Sequence, residues 1–242
     1  MFQIATFHSP LTSKFGAPRQ AGVVPELLGR IILESPFRSA DAIRGMEGFD
    51  YLWLIWEFSA NLPSTSSIPP HTSSLTPPKL TVRPPRLGGN ERVGVFASRS
   101  PFRPNSLGLS SVRIDHIDYD CPDAPVIYVK GADLIDGTPI YDIKPYIPYT
   151  DSHPDARAGF VDEREWQPLE VELSEEASQQ LQQEEYSALR TQLPTLKDIL
   201  SQDPRPHYHD SAERIYKMPY ADYDVHFQVS QGRLTVVRIK KT

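Results

Sequence analysis

The chain has 242 residues, of which 24 are proline and one is cysteine, and its formal net charge is −6. The negative charge argues against a protein that coats nucleic acid regardless of sequence, but it allows a local basic surface. The single cysteine excludes an internal disulfide framework and a cysteine-cluster metal site, and the prolines argue against an all-helical fold.

Short strands dominate the first half of the chain. Ser39 is a predicted N-cap for a short helix at Ala40–Arg44, and residues 61–79 form a loop rich in proline and serine. The run Tyr51–Phe58 is so continuously apolar that we expect a strand buried on both faces. β-Branched and aromatic residues between turn signals predict the other strands at Phe2–His8, Arg30–Leu33, Arg92–Ser98, Leu109–Ile117 and Val126–Lys130.

Two helices are predicted in the second half, where the composition becomes acidic and rich in glutamine. Ser174–Arg190 carries a thin apolar stripe at helical spacing. Thr195–Ser201 opens with a capping box formed by Thr195 and Asp198. The second helix is expected to bury Leu196, Ile199 and Leu200.

The tail returns to strands, at Val225–Val229 and Leu234–Ile239, around a hairpin turn at Gln231-Gly232. We therefore expect a mainly β protein with an α+β appendage. A small β-barrel would occupy residues 1–155, and a smaller α+β domain would occupy residues 156–242. The longest apolar run is too short to span a bilayer, and no secretory signal is visible, so we expect a cytoplasmic protein without a membrane partner.

The segment Thr81–Ser110, named the basic segment below, is the most informative part of the sequence. It holds one acidic residue and five arginines, namely Arg83, Arg86, Arg92, Arg99 and Arg103. Two prolines between Arg83 and Arg86 favour polyproline II geometry, which has three residues per turn and places both guanidinium groups on one side. Because arginine suits phosphate, the segment predicts an anion site. The alternative is a solvated basic loop fixed by prolines.

A second dense segment runs from Gly131 to Tyr149. Asp133 and Asp136 precede a turn, and after it Asp142, Lys144 and Tyr146 alternate, so a strand would place these three on one face. Such carboxylates can accept hydrogen bonds from a ribose or offset a cationic ligand. The alternative is an ordinary Asp-Gly turn with solvent-facing polar groups.

Familiar catalytic motifs are absent from the sequence. There is no glycine-rich dinucleotide loop, no P-loop and no nucleophile elbow. His207 and His209 have a His-x-His spacing, but nothing nearby supplies further ligands, so we expect no metal site.

In the basic segment and several further blocks, the chain resembles the TrmO family, also called the YaeB or TsaA-like family, in its bacterial two-domain form. The Arg-Pro-Pro-Arg-Leu-Gly-Gly-Asn and Phe-Arg-Pro-Asn sequences within the basic segment are highly specific for it. The further matching blocks are residues 15–22, 41–45, 133–149 and 202–206.

The resemblance implies S-adenosylmethionine-dependent methylation of N6 of threonylcarbamoyladenosine, the nucleoside beside the anticodon of certain threonine tRNAs. It implies a non-Rossmann barrel that works as a homodimer. The family's cofactor positions fall on Pro18, Arg19, Gln20, Ser59, Ala60, Arg99, Leu109, Asp133, Leu134, Ile135 and Asp136.

Roles for the remaining residues follow from this chemistry. The threonylcarbamoyl group makes the N6 proton more acidic, so a modest base suffices, and either Asp133 or Asp142 fits that role. Tyr146, Tyr208 or Trp53 would stack on a base, and Tyr146 is counted with the catalytic residues. The residues expected to hold the tRNA are Arg83, Arg86, Arg103, Asn105, Lys144, Arg205 and Tyr208.

Two other functions fit the same residues. One is a non-catalytic RNA- or nucleotide-binding barrel with a vestigial cofactor pocket. The other is a nucleotide-sensing regulatory protein, which would bind the cofactor without turning it over.

Overall fold

The computed structural model describes residues 1–61, 80–84, 91–162, 167–205 and 213–242. Six antiparallel strands close a barrel in the order β1-β2-β7-β6-β3-β8, which confirms the expected architecture. The strands are β1 (Ala5–His8), β2 (Leu28–Leu33), β3 (Tyr51–Glu57), β6 (Leu107–Asp118), β7 (Val126–Lys130) and β8 (Thr138–Pro145). A separate two-stranded ribbon pairs β4 (Thr81–Val82) with β5 (Val93–Gly94).

The inside of the barrel is packed with apolar side chains. Phe7, Ile31, Leu52, Leu54 and Ile127 are fully or almost fully buried and belong to one core cluster. Alternate residues of each strand face outward, because successive side chains point to opposite sides of a sheet. The barrel is therefore filled and holds no central channel within the described residues.

The strand β3 corrects one expectation. Only its inner side chains are buried, whereas Tyr51 is 42% exposed and Trp53 and Ile55 are half-buried. A barrel strand has a single inner face, so the continuous apolar run does not indicate burial on both sides. It places an aromatic surface on the outside of the barrel.

The predicted strand Arg92–Ser98 is also wrong in most of its length. After β5 the chain forms a 3₁₀ turn at Val95–Ala97. The Ser98 amide and hydroxyl both donate to the Val95 carbonyl, at 3.3 and 2.9 Å. These local bonds take the place of a strand partner. The 3₁₀ turn at Ala40–Ile43 does begin at Ser39, whose side chain accepts from the Asp41 amide.

The second half forms the expected smaller α+β unit. Its sheet has the order β10-β11-β12-β9, with β9 (Glu170–Leu173) parallel to its neighbour. The other strands are β10 (Tyr216–Tyr220), β11 (Tyr223–Ser230) and β12 (Arg233–Lys241), and the turn between the last two holds Gln231 and Gly232 at positive φ. In the described residues, the short helix α1 (Pro148–Asp151) follows β8, and the C-terminal unit carries α2 (Glu175–Gln180), α3 (Ser187–Thr191) and α4 (Leu193–Ser201).

The helix predicted at Ser174–Arg190 is broken. Ser174 caps α2, a 3₁₀ turn follows at Glu184–Tyr186, and α3 begins at Ser187. Tyr186 lies five residues after Leu181, a spacing that one helix cannot place on one face, and both are buried. The Arg190 guanidinium donates to the Leu181 carbonyl at 3.1 Å and so satisfies the broken end.

The capping box at Thr195 is wrong as well. α4 begins two residues earlier, with Gln192 as N-cap and no side-chain cap bond. Pro194 fits the first turn because its missing N–H would lack a helical partner there. Leu196, Ile199 and Leu200 are buried as predicted.

Residues 10–27 tie the barrel to the second half. Leu11, Val24 and Leu27 belong to the core cluster of the C-terminal sheet and helices. The Phe15 ring stacks on Tyr216 and Phe227, at centroid distances of 6.4 and 6.1 Å. The loop between β1 and β2 is thus held by the C-terminal core.

None of the described helices is both long and apolar enough to cross a membrane. Within the same residues, no three His, Cys, Asp or Glu side chains lie close enough together to hold a metal ion.

Candidate functional site

The loop of residues 14–22, named the Pro-Arg-Gln loop, lies beside the segment that carries Asp133. The Gly22 amide donates to the Gly131 carbonyl at 2.7 Å, and the Gly131 amide donates to the Leu27 carbonyl at 2.9 Å. Gly16 has a φ of +97°, and a Cβ there would lie 2.2 Å from Met218 Sδ. The loop's course therefore depends on glycine at position 16 and on the C-terminal sheet behind it.

Three parts of the predicted cofactor site meet at this loop. Arg99 donates to Gln20 Oε1 at 2.6 Å, which brings the basic segment to the loop. Lys14 Nζ donates to the Ala60 carbonyl at 2.7 Å and to Asn61 Oδ1, which brings the Ser59–Asn61 turn to its other side. The structure thus places side by side residues that are separated by up to 85 positions.

Asp133 is the buried acid of this cluster. Ser110 donates to Asp133 Oδ1 at 2.5 Å, and Trp56 Nε1 donates to the same Ser110 hydroxyl at 2.9 Å. Because Trp56 occupies an acceptor position of Ser110, the hydroxyl proton is directed to the carboxylate. Burial raises the pKa of Asp133, and the Ser110 bond and the Arg99 charge only partly oppose this effect.

Gly108 makes this arrangement possible. It pairs with Trp56 across β6 and β3, and a Cβ at this position would lie 2.3 Å from the indole ring. The ring therefore lies flat over the strand and reaches Ser110. Trp56 and Ser110 were not among the predicted site residues. A polar residue at an inward position of β6 is the signal that could have revealed Ser110.

Some of the predicted cofactor residues lie away from the cluster formed by the Pro-Arg-Gln loop, Arg99 and Asp133. Leu134 is fully buried in the barrel core, and Ile135 packs against the C-terminal core. The Asp136 carboxylate instead accepts from the Ser9 amide and contacts His8, each at 3.1 Å. Leu109 lies on the outer face of β6 and is 57% exposed.

A cavity of ≈ 420 Å³ separates the Pro-Arg-Gln loop from the end of α4. Arg19 and Gln20 line one side, and Gln202 and Asp203 line the other. Arg19 Nη2 donates to the Asp203 carbonyl at 3.3 Å. Arg205 holds the Asp203 carboxylate in a bidentate pair at 2.8 and 2.9 Å. The cavity opens directly beside the predicted cofactor residues.

Asp142, Lys144 and Tyr146 share the outer face, as the sequence predicts. Asp142 pairs with Ile55, and Lys144 pairs with Trp53. The Tyr146 ring lies 6.0 Å from Tyr51 and 5.7 Å from Trp53, and these three rings are named the aromatic patch. Trp53 is fixed by its hydrogen bond to Asp151 Oδ2 at 2.9 Å.

The predicted tRNA-binding residues differ in their surroundings. Arg83 and Asn105 are exposed. Arg103 Nη1 donates to the Ser98 carbonyl at 2.7 Å and more weakly to that of Val95, so part of this guanidinium holds its own loop. Lys144 lies 4.0 Å from Asp142. Arg86 and Tyr208 lie outside the described residues, as does most of the predicted loop at 61–79.

Two family models together match most of the chain. Residues 6–152 match the tRNA-methyltransferase O N-terminal domain, and residues 166–242 match the TrmO C-terminal domain. A tRNA (adenine(37)-N6)-methyltransferase from Escherichia coli is 36% identical over 98% of this chain and 96% of its own length.

Two further comparisons agree with these models. A Pyrococcus abyssi protein named "Probable S-adenosyl-L-methionine-binding protein" is 27% identical over 66% of this chain and 74% of its own length. The crystal structure of TrmO from Pseudomonas aeruginosa superposes with a TM-score of 0.75 and 31% identity, and the match covers 99% of this chain and 95% of that one. The fold, the clustered motifs and these matches lead to one conclusion: the chain belongs to the tRNA-methyltransferase O family.

Proposed function

We propose that this enzyme transfers a methyl group from S-adenosylmethionine to N6 of threonylcarbamoyladenosine beside the anticodon of threonine tRNAs. One observation carries the proposal. A buried carboxylate with a raised pKa, that of Asp133, lies beside the Pro-Arg-Gln loop and Arg99. Family membership supplies the reaction class, and the acidic N6 proton of the threonylcarbamoyl group fits a carboxylate base.

The described residues suit this cofactor. The cavity beside Arg19 and Gln20 carries cationic and amide groups, which can hold a carboxylate and a ribose hydroxyl. The Asp133 carboxylate would offer a negative charge to the cationic sulfonium of the bound cofactor. When bound, the cofactor supplies an already activated methyl group, and alignment contributes more than covalent help.

We propose Asp133 as the base. Ser110 and Trp56 fix its carboxylate, and burial makes it a stronger base than an exposed aspartate. Asp133 would take the N6 proton as the nitrogen lone pair bonds to the methyl group that the cofactor supplies, and the cofactor would leave as a neutral thioether. Asp142 is half-exposed and faces Lys144, so the geometry favours it less.

The tRNA would lie against the outer surface that joins the basic segment to the aromatic patch. Arg83, Arg86 and Arg103 would contact phosphates, with Asn105, Lys144, Arg205 and Tyr208 as further contacts. Tyr146 and Trp53 would stack on an unpaired base. Among the members that the structure describes, Arg83 is exposed and makes no hydrogen bond to another described residue.

We also propose that the enzyme is a homodimer and acts in the cytoplasm. Three large apolar side chains in the described part of the basic segment are widely exposed, namely Phe96 at 73%, Phe102 at 70% and Leu109 at 57%. Such exposure is typical of an interface. Leu109 lies on the exposed outer face of β6, and we propose that it contacts the cofactor in the site of the partner.

Mass spectrometry of tRNA nucleosides from a strain that lacks this protein tests the function. We expect N6-methylated threonylcarbamoyladenosine to disappear and its unmethylated precursor to accumulate. The wild-type gene should restore the product, whereas Asp133→Asn should not. An unchanged nucleoside profile in the deletion strain would refute the proposal and favour a non-catalytic RNA-binding barrel.

A further inference from the structure

A row of four side chains crosses the outer wall of the barrel, on strands that carry none of the proposed catalytic residues. Strand register pairs His8 with Arg30, Arg30 with Tyr128 and Tyr128 with His116. These residues lie on β1, β2, β7 and β6. Adjacent strands are about 4.8 Å apart, so the row spans about 14 Å. We name these four residues the wall row.

The row faces outward over a concave surface. Neighbouring strand residues Phe7, Ile31 and Ile127 are buried in the barrel core, so the alternate positions project outside. An open cavity of ≈ 240 Å³ lies here, and His8, Arg30 and Tyr128 line it. The cavity is distinct from the one beside the Pro-Arg-Gln loop.

One end of the row offers donors for an anion. Arg30 is exposed, and its guanidinium makes no hydrogen bond or ion pair with any part of the chain that the structure describes. His8 contacts the Asp136 carboxylate through Nδ1 at 3.1 Å. This contact orients the imidazole and leaves Nε2 for a ligand. An arginine fork with a neighbouring imidazole is well suited to a phosphate.

The other end offers a flat aromatic surface. The Tyr128 and His116 rings stack at a centroid distance of 4.3 Å and an interplanar angle of 8°. His116 is held by Asp115, at 2.8 Å, which fixes the stack before any ligand arrives. Preorganised aromatic rings of this kind are what unpaired bases stack on.

We infer that the wall row binds one ribonucleotide unit of an RNA strand. Arg30 and His8 hold the phosphate, and Tyr128 receives the base against its ring. The inference rests on the proposed function, because the RNA is then the tRNA substrate, held at a nucleotide other than the one methylated. A free mononucleotide has the same chemistry, so the experiment includes both sources.

Fluorescence anisotropy of a labelled anticodon stem-loop RNA tests this. Arg30→Ala and Tyr128→Leu should each weaken binding about tenfold, since one stacked base or one phosphate contact is worth about that much. Arg30→Ala should also flatten the log–log salt dependence by about one unit. Tyr128→Phe keeps the ring and should bind like the wild type. Arg157→Ala removes another exposed arginine and should change neither affinity nor slope.

A second arm uses adenosine 5′-monophosphate in isothermal titration. One outcome is that the wild type binds the nucleotide while Arg30→Ala does not, with the RNA affinity of Arg30→Ala unchanged. That result would assign the site to a free nucleotide and overturn the RNA inference. Unchanged affinities for both ligands in Arg30→Ala and Tyr128→Leu would overturn the site itself. Methyl transfer by the wild type is measured separately. If the variants lose RNA binding but the wild type transfers no methyl group, the wall row is still an RNA-binding site and the proposed function is refuted.

Discussion

At the scale of single residues, the Trp56–Ser110–Asp133 chain is the most consequential feature. Burial raises the pKa of the Asp133 carboxyl group. The Ser110 hydroxyl accepts from Trp56 and donates its proton to Asp133. Burial favours the protonated acid, and the Ser110 hydrogen bond favours the carboxylate. The balance between the two effects sets the pH at which Asp133, the proposed base, is ionised.

The first prediction concerns this balance. The proposed mechanism requires ionised Asp133, so the single-turnover rate should fall as the pH falls through its raised pKa. Ser110→Ala removes a bond that stabilises the carboxylate, so it should move this acid limb to higher pH. Asp133→Asn should lower the rate about 10²- to 10⁴-fold.

Two variants serve as controls. Ser111→Ala lies on the outer face of β6 and should leave the acid limb in place. Asp142→Asn should leave it in place as well. If Asp142→Asn removes the acid limb and Asp133→Asn does not, the base has been assigned to the wrong carboxylate.

At the scale of elements, the Pro-Arg-Gln loop is supported by the C-terminal sheet. Met218 of β10 occupies the space that a side chain at position 16 would need, and Phe15 stacks on rings of β10 and β11. The C-terminal half therefore helps to shape the proposed cofactor site.

The second prediction follows from Gly16. Gly16→Ala introduces both a positive-φ strain and a clash with Met218, so it should destabilise the fold by about 2–4 kcal/mol and weaken S-adenosylmethionine binding. Gly45 also has a positive φ, of +86°, but open space around it. Gly45→Ala should cost only about 1 kcal/mol and leave cofactor binding unchanged. If denaturant unfolding shows that Gly16→Ala and Gly45→Ala lower the free energy of unfolding equally, Met218 does not restrain the loop.

The sequence predicts elements well where the signal is local. Val126–Lys130 and the Gln231-Gly232 hairpin are confirmed, because β-branched runs and turn residues act within a few positions. It fails at two other places for different reasons. Val95–Ala97 turns instead of extending because Ser98 bonds back to the Val95 carbonyl. The helix after Ser174 breaks because Tyr186 packs in a core built from distant residues.

The candidate site shows the same division. The family resemblance predicts cofactor positions at Gln20, Arg99 and Asp133, and the structure places these three residues close together. Trp56 and Ser110 carry no motif, since their roles arise only when β3 pairs with β6. The outward position of Leu109 likewise follows from the strand register.

At the scale of the whole molecule, the proposed dimer gives Leu109 a role. The third prediction is tested by mixing Leu109→Ala chains with Asp133→Asn chains and measuring methyl transfer. Each homodimer should be weak. If Leu109 serves the partner's site, random pairing restores one intact site in mixed dimers, and activity should reach about one quarter of the wild type. A mixture no more active than the average of its parents would place each site within one chain.

The central claim is methyl transfer to threonylcarbamoyladenosine, and a reconstituted reaction tests it most directly. Purified protein, S-adenosylmethionine with an isotopically labelled methyl group, and threonine tRNA bearing the threonylcarbamoyl group are incubated, and the nucleosides are measured by mass spectrometry. We predict label on N6 of threonylcarbamoyladenosine with the wild type, and none with Asp133→Asn or with tRNA that lacks the threonylcarbamoyl group. Unlabelled threonylcarbamoyladenosine after incubation with the wild type, or label on unmodified adenosine, would contradict the account.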